Sequence, residues 1–253
     1  MKAWFISDLH LKDINERNSI RLLRFLRFVE QDPHATHLFL LGDIFDLWVG
    51  DSDRFVAKFR AIVEAIIAIK KKGLRVVYFE GNHDMHVRRF WQDRYQIETY
   101  TDAQTFPLGK WAVRMEHGDF INPDDEAYLQ YRSIIRQSAV EKLAYFLPGT
   151  LIDEAGMMAS KLSRKNSTKR RDNNESLFTQ MIHDYARSTF VQSPFDYIIT
   201  GHMHIRDEFT WSNLDRNPIS INLGSWFDKP MALSLDQQGH QWLDIDSLSN
   251  CSA

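Results

Sequence analysis

The sequence predicts an α/β fold (α+β by some schemes), arranged as a single domain over residues 1–253. Two observations point there. The first third alternates short apolar runs with amphipathic helical stretches, and strand–helix–strand order implies parallel pairing in a sheet. Strand signals return from Tyr197 onward, after a long mostly helical stretch from Asp124 to about Val191. That stretch reads as a helical cap, residues 122–193, inserted into a β-rich body.

Each element follows from its residues. Ala3 to Ile6 is a short buried strand that delivers Asp8 and His10 into a loop. Arg21 to Glu30 sets Leu22, Leu23, Phe25, Leu26, Phe28 and Val29 among basic residues, the pattern of a helix with one buried face. His37 to Leu40 is a second strand, closed by the turn residue Gly42 and followed by Asp43. A second helix is expected from about Phe55 to Lys72, with Phe59, Ile62, Val63, Ile66, Ile67 and Ile69 in the core and Gly73 as its C-cap. Leu74 to Phe79 is a third strand, ending at Asn82 and His83. Short β pieces broken by Pro107 and Gly109 fill Ile97 to Glu116, and Trp111–Met115 leads to His117. Within the cap, Pro148 and Gly149 interrupt the helical pattern. An apolar set follows (Leu151, Ile152, Met157, Met158, Leu162), then a run from Lys161 to Arg171 with six cations and no anion. Tyr197–Ile199, Ile219–Leu223 and a hairpin of Met231–Leu235 with Gln241–Ile245 complete the strands.

Composition narrows the function. At 253 residues and 43% hydrophobic, the chain suits a globular protein with a substantial core. A net charge of −3 argues against a general nucleic-acid binder. The single cysteine, Cys251, excludes a disulfide framework and a cysteine metal site, which fits a reducing cytosol. The N-terminal apolar run meets Asp8 and His10 too early for a secretory segment, and no stretch reaches the roughly 20 apolar residues that span a bilayer.

The chemistry lies in residues that recur at strand ends. Asp8-Leu9-His10, Gly42-Asp43, Gly81-Asn82-His83-Asp84, His117-Gly118-Asp119 and Gly201-His202-Met203-His204 each follow a strand-like run. α/β proteins place their sites at the C-terminal edge of parallel strands. Carboxylate and amide oxygens suit hard divalent cations, and imidazole suits transition metals. Asp8, His10, Asp43, Asn82, His117, His202 and His204 are therefore candidate ligands for two adjacent ions. A lone histidine is ordinarily exposed or satisfied in a core, but five of ten placed beside Asp, Asn or Gly at separate strand ends make a set.

In their order, Asp-x-His, Gly-Asp-x-x-Asp, Gly-Asn-His-Asp and Gly-His-x-His resemble the calcineurin-like metallophosphoesterases. The resemblance implies two mixed β-sheets packed face to face with helices outside. It implies one metal on Asp8, His10, Asp43 and His204, and another on Asp43, Asn82, His117 and His202, with Asp43 shared. It also implies that His83 acts on the leaving group as electrostatic stabiliser or general acid, oriented by Asp84.

A finer resemblance, covering most of the chain, is to the UDP-2,3-diacylglucosamine hydrolases of lipid A biosynthesis. It rests on Leu41-Gly-Asp-Ile-Phe-Asp-Leu-Trp-Val-Gly-Asp51, on His117-Gly-Asp with Asp125, Tyr128 and Arg132, and on Leu223-Gly-Ser-Trp226. It implies Mn²⁺-dependent cleavage of a nucleotide-lipid pyrophosphate, releasing UMP and a 1-phosphorylated diacylglucosamine, in the cytoplasm at the surface of the inner membrane. Expected substrate contacts are Asp125 toward the glucosamine or its amide, Tyr128 and Arg132 of the same motif, and Ser163, Arg164 and Lys165 in the cap. A cap groove lined by Phe146, Leu147, Leu151, Met157 and Met158 is expected to take the acyl chains. One residue departs from the subgroup, which has Arg where this chain has His83. A second enzyme reading is a generic phosphodiesterase or phosphomonoesterase. A third, a scaffold without catalysis, is opposed by the complete ligand set.

Overall fold

In the N-terminal strands successive side chains point to opposite faces, and both sets are apolar, as a sheet covered on both sides requires. The computed structural model describes residues 1–146, 175–213 and 216–248. The chain begins with β1 (Lys2–Ile6), α1 (Arg17–Gln31), β2 (Ala35–Leu40) and the short β3 (Trp48–Val49). Next come α2 (Asp53–Lys58), α3 (Arg60–Lys71), β4 (Arg75–Phe79) and the short β5 (Asp84–Met85). A π-helical turn over Arg89–Arg94 leads to β6 (Glu98–Tyr100), β7 (Gln104–Leu108) and β8 (Trp111–Met115). The segment expected as a cap is helical where described: α4 (Glu126–Ile135), α5 (Ser138–Phe146) and α6 over residues 175–192. The last strands are β9 (Tyr197–Thr200), β10 (Arg206–Thr210), β11 (Ile219–Leu223), β12 (Met231–Leu235) and β13 (His240–Asp244).

Two mixed sheets result. The first has the order β13-β12-β1-β2-β4-β6, with β1, β2, β4 and β6 parallel and β12 and β13 antiparallel. The second has the order β10-β11-β9-β8-β7, parallel at its centre and antiparallel at both edges. Phe5, Phe39, Val77 and Phe79 of the first sheet meet Phe106, Val113, Met115, Ile199 and Ile221 of the second. The alternate residues Trp4, Ile6, Leu38, Leu40, Val76 and Tyr78 share an outer core with Leu22 and Phe25 of α1 and Ile62 and Ile66 of α3. Each such fully buried large side chain contributes about 1.5–3 kcal/mol relative to exposure.

The expected helix from Phe55 to Lys72 is two helices, α2 and α3. They part at Phe59, whose backbone (φ −113°, ψ 26°) leaves the helical region. Its fully buried ring lies 4.7 Å from that of Phe45, so packing sets the break. Gly73 does end α3, at φ +103°, donating its N–H to the Lys70 carbonyl. β10 carries no apolar run that would announce it, because it is a half-exposed edge strand, Arg-Asp-Glu-Phe-Thr. Pro107 sits in β7, an edge strand, where a missing ladder donor is tolerated.

Candidate metal centre

Parallel strands β1, β2 and β4 run in one direction, so the residues after them emerge at the same end. They carry Asp8 and His10, Asp43, and Asn82, while the loops after β8 and β9 bring His117 and the pair His202 and His204. All seven expected ligands converge in two adjoining clusters. In the first, the Nε2 atoms of His10 and His204 lie 2.9 Å apart, and His204 Nε2 is 3.2 Å from Asp8 Oδ1. In the second, Asn82 Oδ1 is 3.3 Å from His117 Nε2 and 3.2 Å from His202 Nδ1, and those two nitrogens are 3.3 Å apart. Asp43 joins the clusters: its Oδ2 is 3.7 Å from His10 Nε2 and 3.6 Å from His117 Nε2.

These spacings fit cations. Donor atoms about 2.0–2.2 Å from a common centre fall roughly 3–4 Å from one another. The second ring nitrogen of His117, Nδ1, donates to the Leu41 carbonyl at 2.8 Å, which leaves Nε2 as a lone-pair donor facing the cluster. The charge balance points the same way. Burial alone would press the His117 imidazolium down, but the carboxylates of Asp43, Asp119 and Asp8 overcome it and push its pKa up to about 9. The carboxylates of Asp8, Asp43 and Asp119 thus make the surroundings of His117 attractive to positive charge.

The backbone is bent to make these clusters. Asp8 (φ 57°), His10 (50°), Asp43 (54°), His202 (66°) and His204 (57°) all occupy the left-handed region. For residues with a Cβ this costs about 1–2 kcal/mol each, less for Asp. Glycines allow the loops to approach: a Cβ on Gly81 would overlap the Asp43 carboxylate, and one on Gly201 would overlap the Asp8 carboxylate and Ser7.

The family model of calcineurin-like phosphoesterases matches residues 1–206. The chain belongs to the calcineurin-like phosphoesterase family. It is 30% identical over 252 residues to a UDP-2,3-diacylglucosamine hydrolase of Haemophilus ducreyi, covering 96% of this chain and 100% of that one. Proteins of the same name from Xanthomonas campestris (30% identical, 94% of this chain and 97% of the relative) and Stenotrophomonas maltophilia (29%, 98% and 99%) match as fully. Among solved structures, an archaeal phosphodiesterase is 12% identical over 96% of this chain and 99% of its own, with a TM-score of 0.49.

As a calcineurin-like phosphoesterase the chain is a hydrolase that uses divalent metal. The residues around its metal centre differ in part from expectation. The His83 ring stands edge-on to His10, with centroids 4.7 Å apart. Its orientation comes from Asp46, whose carbonyl accepts from Nδ1 at 2.9 Å, and not from Asp84. A carbonyl only accepts, so Nδ1 carries the proton and Nε2 is the nitrogen left for chemistry. The Asp84 carboxylate instead gathers the N–H groups of Asp43 (2.9 Å), Ile44 (2.7 Å) and Gly81 (2.9 Å), together with the Tyr78 hydroxyl. It splints the two loops that carry Asp43 and Asn82. Burial and the neighbouring Asp43 charge push its pKa up to about 7.

The expected substrate contacts on α4 are likewise committed within the protein. Asp125 caps the helix, accepting from the Tyr128 N–H at 3.1 Å. The Tyr128 hydroxyl and Arg132 Nε (2.7 Å) both donate to Asp119. The Tyr128 ring also packs against His202, with centroids 5.0 Å apart. Ser163, Arg164 and Lys165, with Leu147, Leu151, Met157, Met158 and the run from Lys161 to Arg171, lie outside the described residues. Two functional groupings escaped the sequence reading. Asp119, next in line to His117-Gly118, forms a potential ligand group with His117 and His202. Buried Glu80 is paired with Arg136, the C-cap of α4, and Arg136 also donates to the Gly81 carbonyl at 2.8 Å, one residue before Asn82. The Gly118-Asp119 pair was a signal for the first; an isolated Glu and Arg 56 positions apart gave none for the second.

Proposed function

We propose that the chain hydrolyses the pyrophosphate of UDP-2,3-diacylglucosamine, giving UMP and a 1-phosphorylated diacylglucosamine, with two Mn²⁺ ions. The observation that carries this reading is the extent of the likeness to hydrolases of that name. It runs over 94–98% of the chain, beyond residue 206 where the family match stops.

In this reading Asp8, His10 and His204 would hold one ion and Asn82, His117 and His202 the other. Asp43, whose Oδ2 lies near a nitrogen of each cluster, would serve both. When bound, a divalent pair lowers the pKa of a water and neutralises charge on phosphoryl oxygens. The protein's part is to fix those donors before substrate arrives, with Asp84 and the Leu41 carbonyl holding the loops and the His117 tautomer. His83 presents Nε2 beside His10. With Nε2 protonated as well as Nδ1, it would donate to and stabilise a departing phosphate, which leaves readily without taking the proton. A second reading is favoured by the same histidine. Unlike the arginine of the subgroup it can donate a proton, which suits phosphodiesters with alkoxide leaving groups.

Residues 122–193 are read as the cap that receives the diacyl portion. In support, Tyr131 and Ile134 of α4, Leu143 of α5 and Leu177 of α6 are 44–56% exposed, apolar side chains left open for contact. No helix among the described residues is long and apolar enough to cross a membrane. The reading is therefore of peripheral contact with the cytoplasmic face of the inner membrane, where Arg164, Lys165 and their neighbours would meet anionic headgroups.

The test is direct. Protein loaded with Mn²⁺ should release UMP and the 1-phosphorylated lipid from micellar UDP-2,3-diacylglucosamine, identified by mass spectrometry. Cleavage of bis(p-nitrophenyl) phosphate with no release of UMP would overturn the substrate and leave the phosphodiesterase reading.

A further inference from the structure

The two sides of the metal centre are built differently. Tyr128 of α4 closes against His202 on the side of the second cluster. On the side of the first cluster, α4, α5 and α6 contribute none of the described residues that line the neighbouring cavity. A cavity of about 360 Å³ opens there, lined by Leu9, His10, Lys12, Glu16, Arg17, Asn18, Arg21, Trp226 and Phe227. Its size falls at the lower end of small-ligand sites. It shares His10 with the metal centre, so a group seated in it lies next to the reacting phosphate.

Three features of this cavity select a ligand. Phe227 is 49% exposed, lies nearly parallel to the His10 ring (centroids 5.4 Å apart, 12° between planes) and meets His204 edge-on at 5.8 Å. It is an aromatic platform beside two expected ligands. Lys12 and Arg17 add cations to the lining, where the Glu16 carboxylate is already engaged by the Lys12 backbone N–H at 2.8 Å. Arg17 is 3.7 Å from Asp246 with its side chain 80% exposed, whereas Arg21 is held by the same carboxylate through Nε at 2.7 Å. The floor is rigid: the Trp226 N–H donates to the Asp8 carbonyl (3.2 Å), and Asn18 Nδ2 donates to the Trp226 carbonyl (3.3 Å). An open aromatic face with nearby cations, on a fixed floor, matches a base, a ribose and a 5′-phosphate.

We propose that this cavity is the nucleoside subsite: the nucleoside 5′-phosphate half of the substrate lies here, with its base against Phe227 and its charge near Lys12 and Arg17. This assignment rests on the nucleotide-lipid reading above. It also orients the substrate, with the nucleotide toward the Phe227 side of the metal pair and the lipid toward α4.

The test uses competitive inhibition of bis(p-nitrophenyl) phosphate hydrolysis by the Mn²⁺-loaded protein, with UMP, ribose 5-phosphate and inorganic phosphate as probes. Stacking of a base on an aromatic ring is expected to make UMP bind about tenfold or more tighter than ribose 5-phosphate in the wild type. Phe227→Leu should close most of that gap. Lys12→Glu combined with Arg17→Glu should weaken UMP about tenfold while weakening inorganic phosphate far less, because phosphate alone needs only the metals. If UMP and ribose 5-phosphate inhibit the wild type equally, or both variants leave UMP inhibition unchanged, or UMP and inorganic phosphate weaken together, the subsite is refuted. Should UMP show the expected dependence while UDP-2,3-diacylglucosamine is not hydrolysed, the lipid reading fails and the nucleotide subsite stands.

Discussion

Replacing Arg136 by Met would strand a buried carboxylate. The Glu80 side chain is 1% exposed and that of Arg136 12%, and they form a direct ion pair. Glu80 Oε1 is also satisfied by the Val87 N–H at 2.7 Å, but its second oxygen depends on Arg136. Breaking a buried pair from one side costs about 3–5 kcal/mol, since the remaining charge keeps its desolvation penalty without its partner. For a chain of this length, that lowers Tm by roughly 6–20 °C. Replacing both partners with neutral groups removes the penalty along with the attraction. Glu80→Gln/Arg136→Met should therefore recover most of the loss, because the amide oxygen still accepts from Val87. Urea denaturation of wild type, the two single variants and the double variant, followed by tryptophan fluorescence, gives the four energies. A cost below about 1 kcal/mol for Arg136→Met, or a double variant no more stable than it, would refute the reasoning.

Three further outcomes are expected. Asp43→Asn should lower turnover by at least about a hundredfold, a larger effect than losing an outer-layer partner, and reduce bound metal by one or both ions with an unchanged circular dichroism spectrum; metal analysis and kinetics check this. His83→Arg should keep activity on UDP-2,3-diacylglucosamine within about tenfold of wild type, because a phosphate leaving group needs charge stabilisation more than a proton. Matching losses of about 10²-fold or more in His83→Arg and His83→Ala would instead identify proton donation. Glu98, on β6, has its pKa lowered from 4.5, chiefly by the hydrogen bond from Arg75 of β4. Its contribution is therefore complete above that value and lost as pH falls through the lower, folded pKa. With side chains 41% and 35% exposed the pair is worth at most about 1 kcal/mol. Stability curves of wild type and Glu98→Gln should converge in acid.

The candidate ligands that the structure brings together could be picked out because each follows a strand whose apolar run announces itself. Ala3–Ile6, His37–Leu40, Leu74–Phe79 and Trp111–Met115 are buried on both faces or against the opposite sheet, so hydrophobicity marks them without tertiary information. What the sequence could not reveal are contacts made across long separations. That His83 takes its orientation from the Asp46 carbonyl is invisible in a string of side-chain letters, because the acceptor is backbone. Asp84 follows His83 directly and invites an orienting role, but β5 turns it toward β2 and the Asp43 loop. Asp125, Tyr128 and Arg132 carry the spacing of a motif, and spacing alone does not separate a substrate contact from a helix cap or an internal ion pair. The break at Phe59 was hidden for a similar reason: the apolar period continues through it, and only the rings of Phe45 and Trp48 decide where the helix must bend.

These long-range contacts fall unequally on the two clusters. α4 and its C-cap Arg136 grip the second through two of its three loops. Tyr128 and Arg132 clamp Asp119 two residues after His117, and Arg136 holds the Gly81 carbonyl one residue before Asn82. The first cluster is held instead by the Trp226 N–H on the Asp8 carbonyl and by the His202 N–H on the Asp8 carboxylate at 3.0 Å, so α4 reaches it at one remove, through the Tyr128 ring packed on His202. The direct hydrogen bonds of α4 and its C-cap therefore go to the loops that carry Asn82 and His117, while Asp8, His10 and His204 sit on loops fixed by the strands and by Trp226. Of the two clusters, the one nearest α4 is thus the one whose geometry depends on that helix being in place, because its loops have α4 side chains as hydrogen-bond partners.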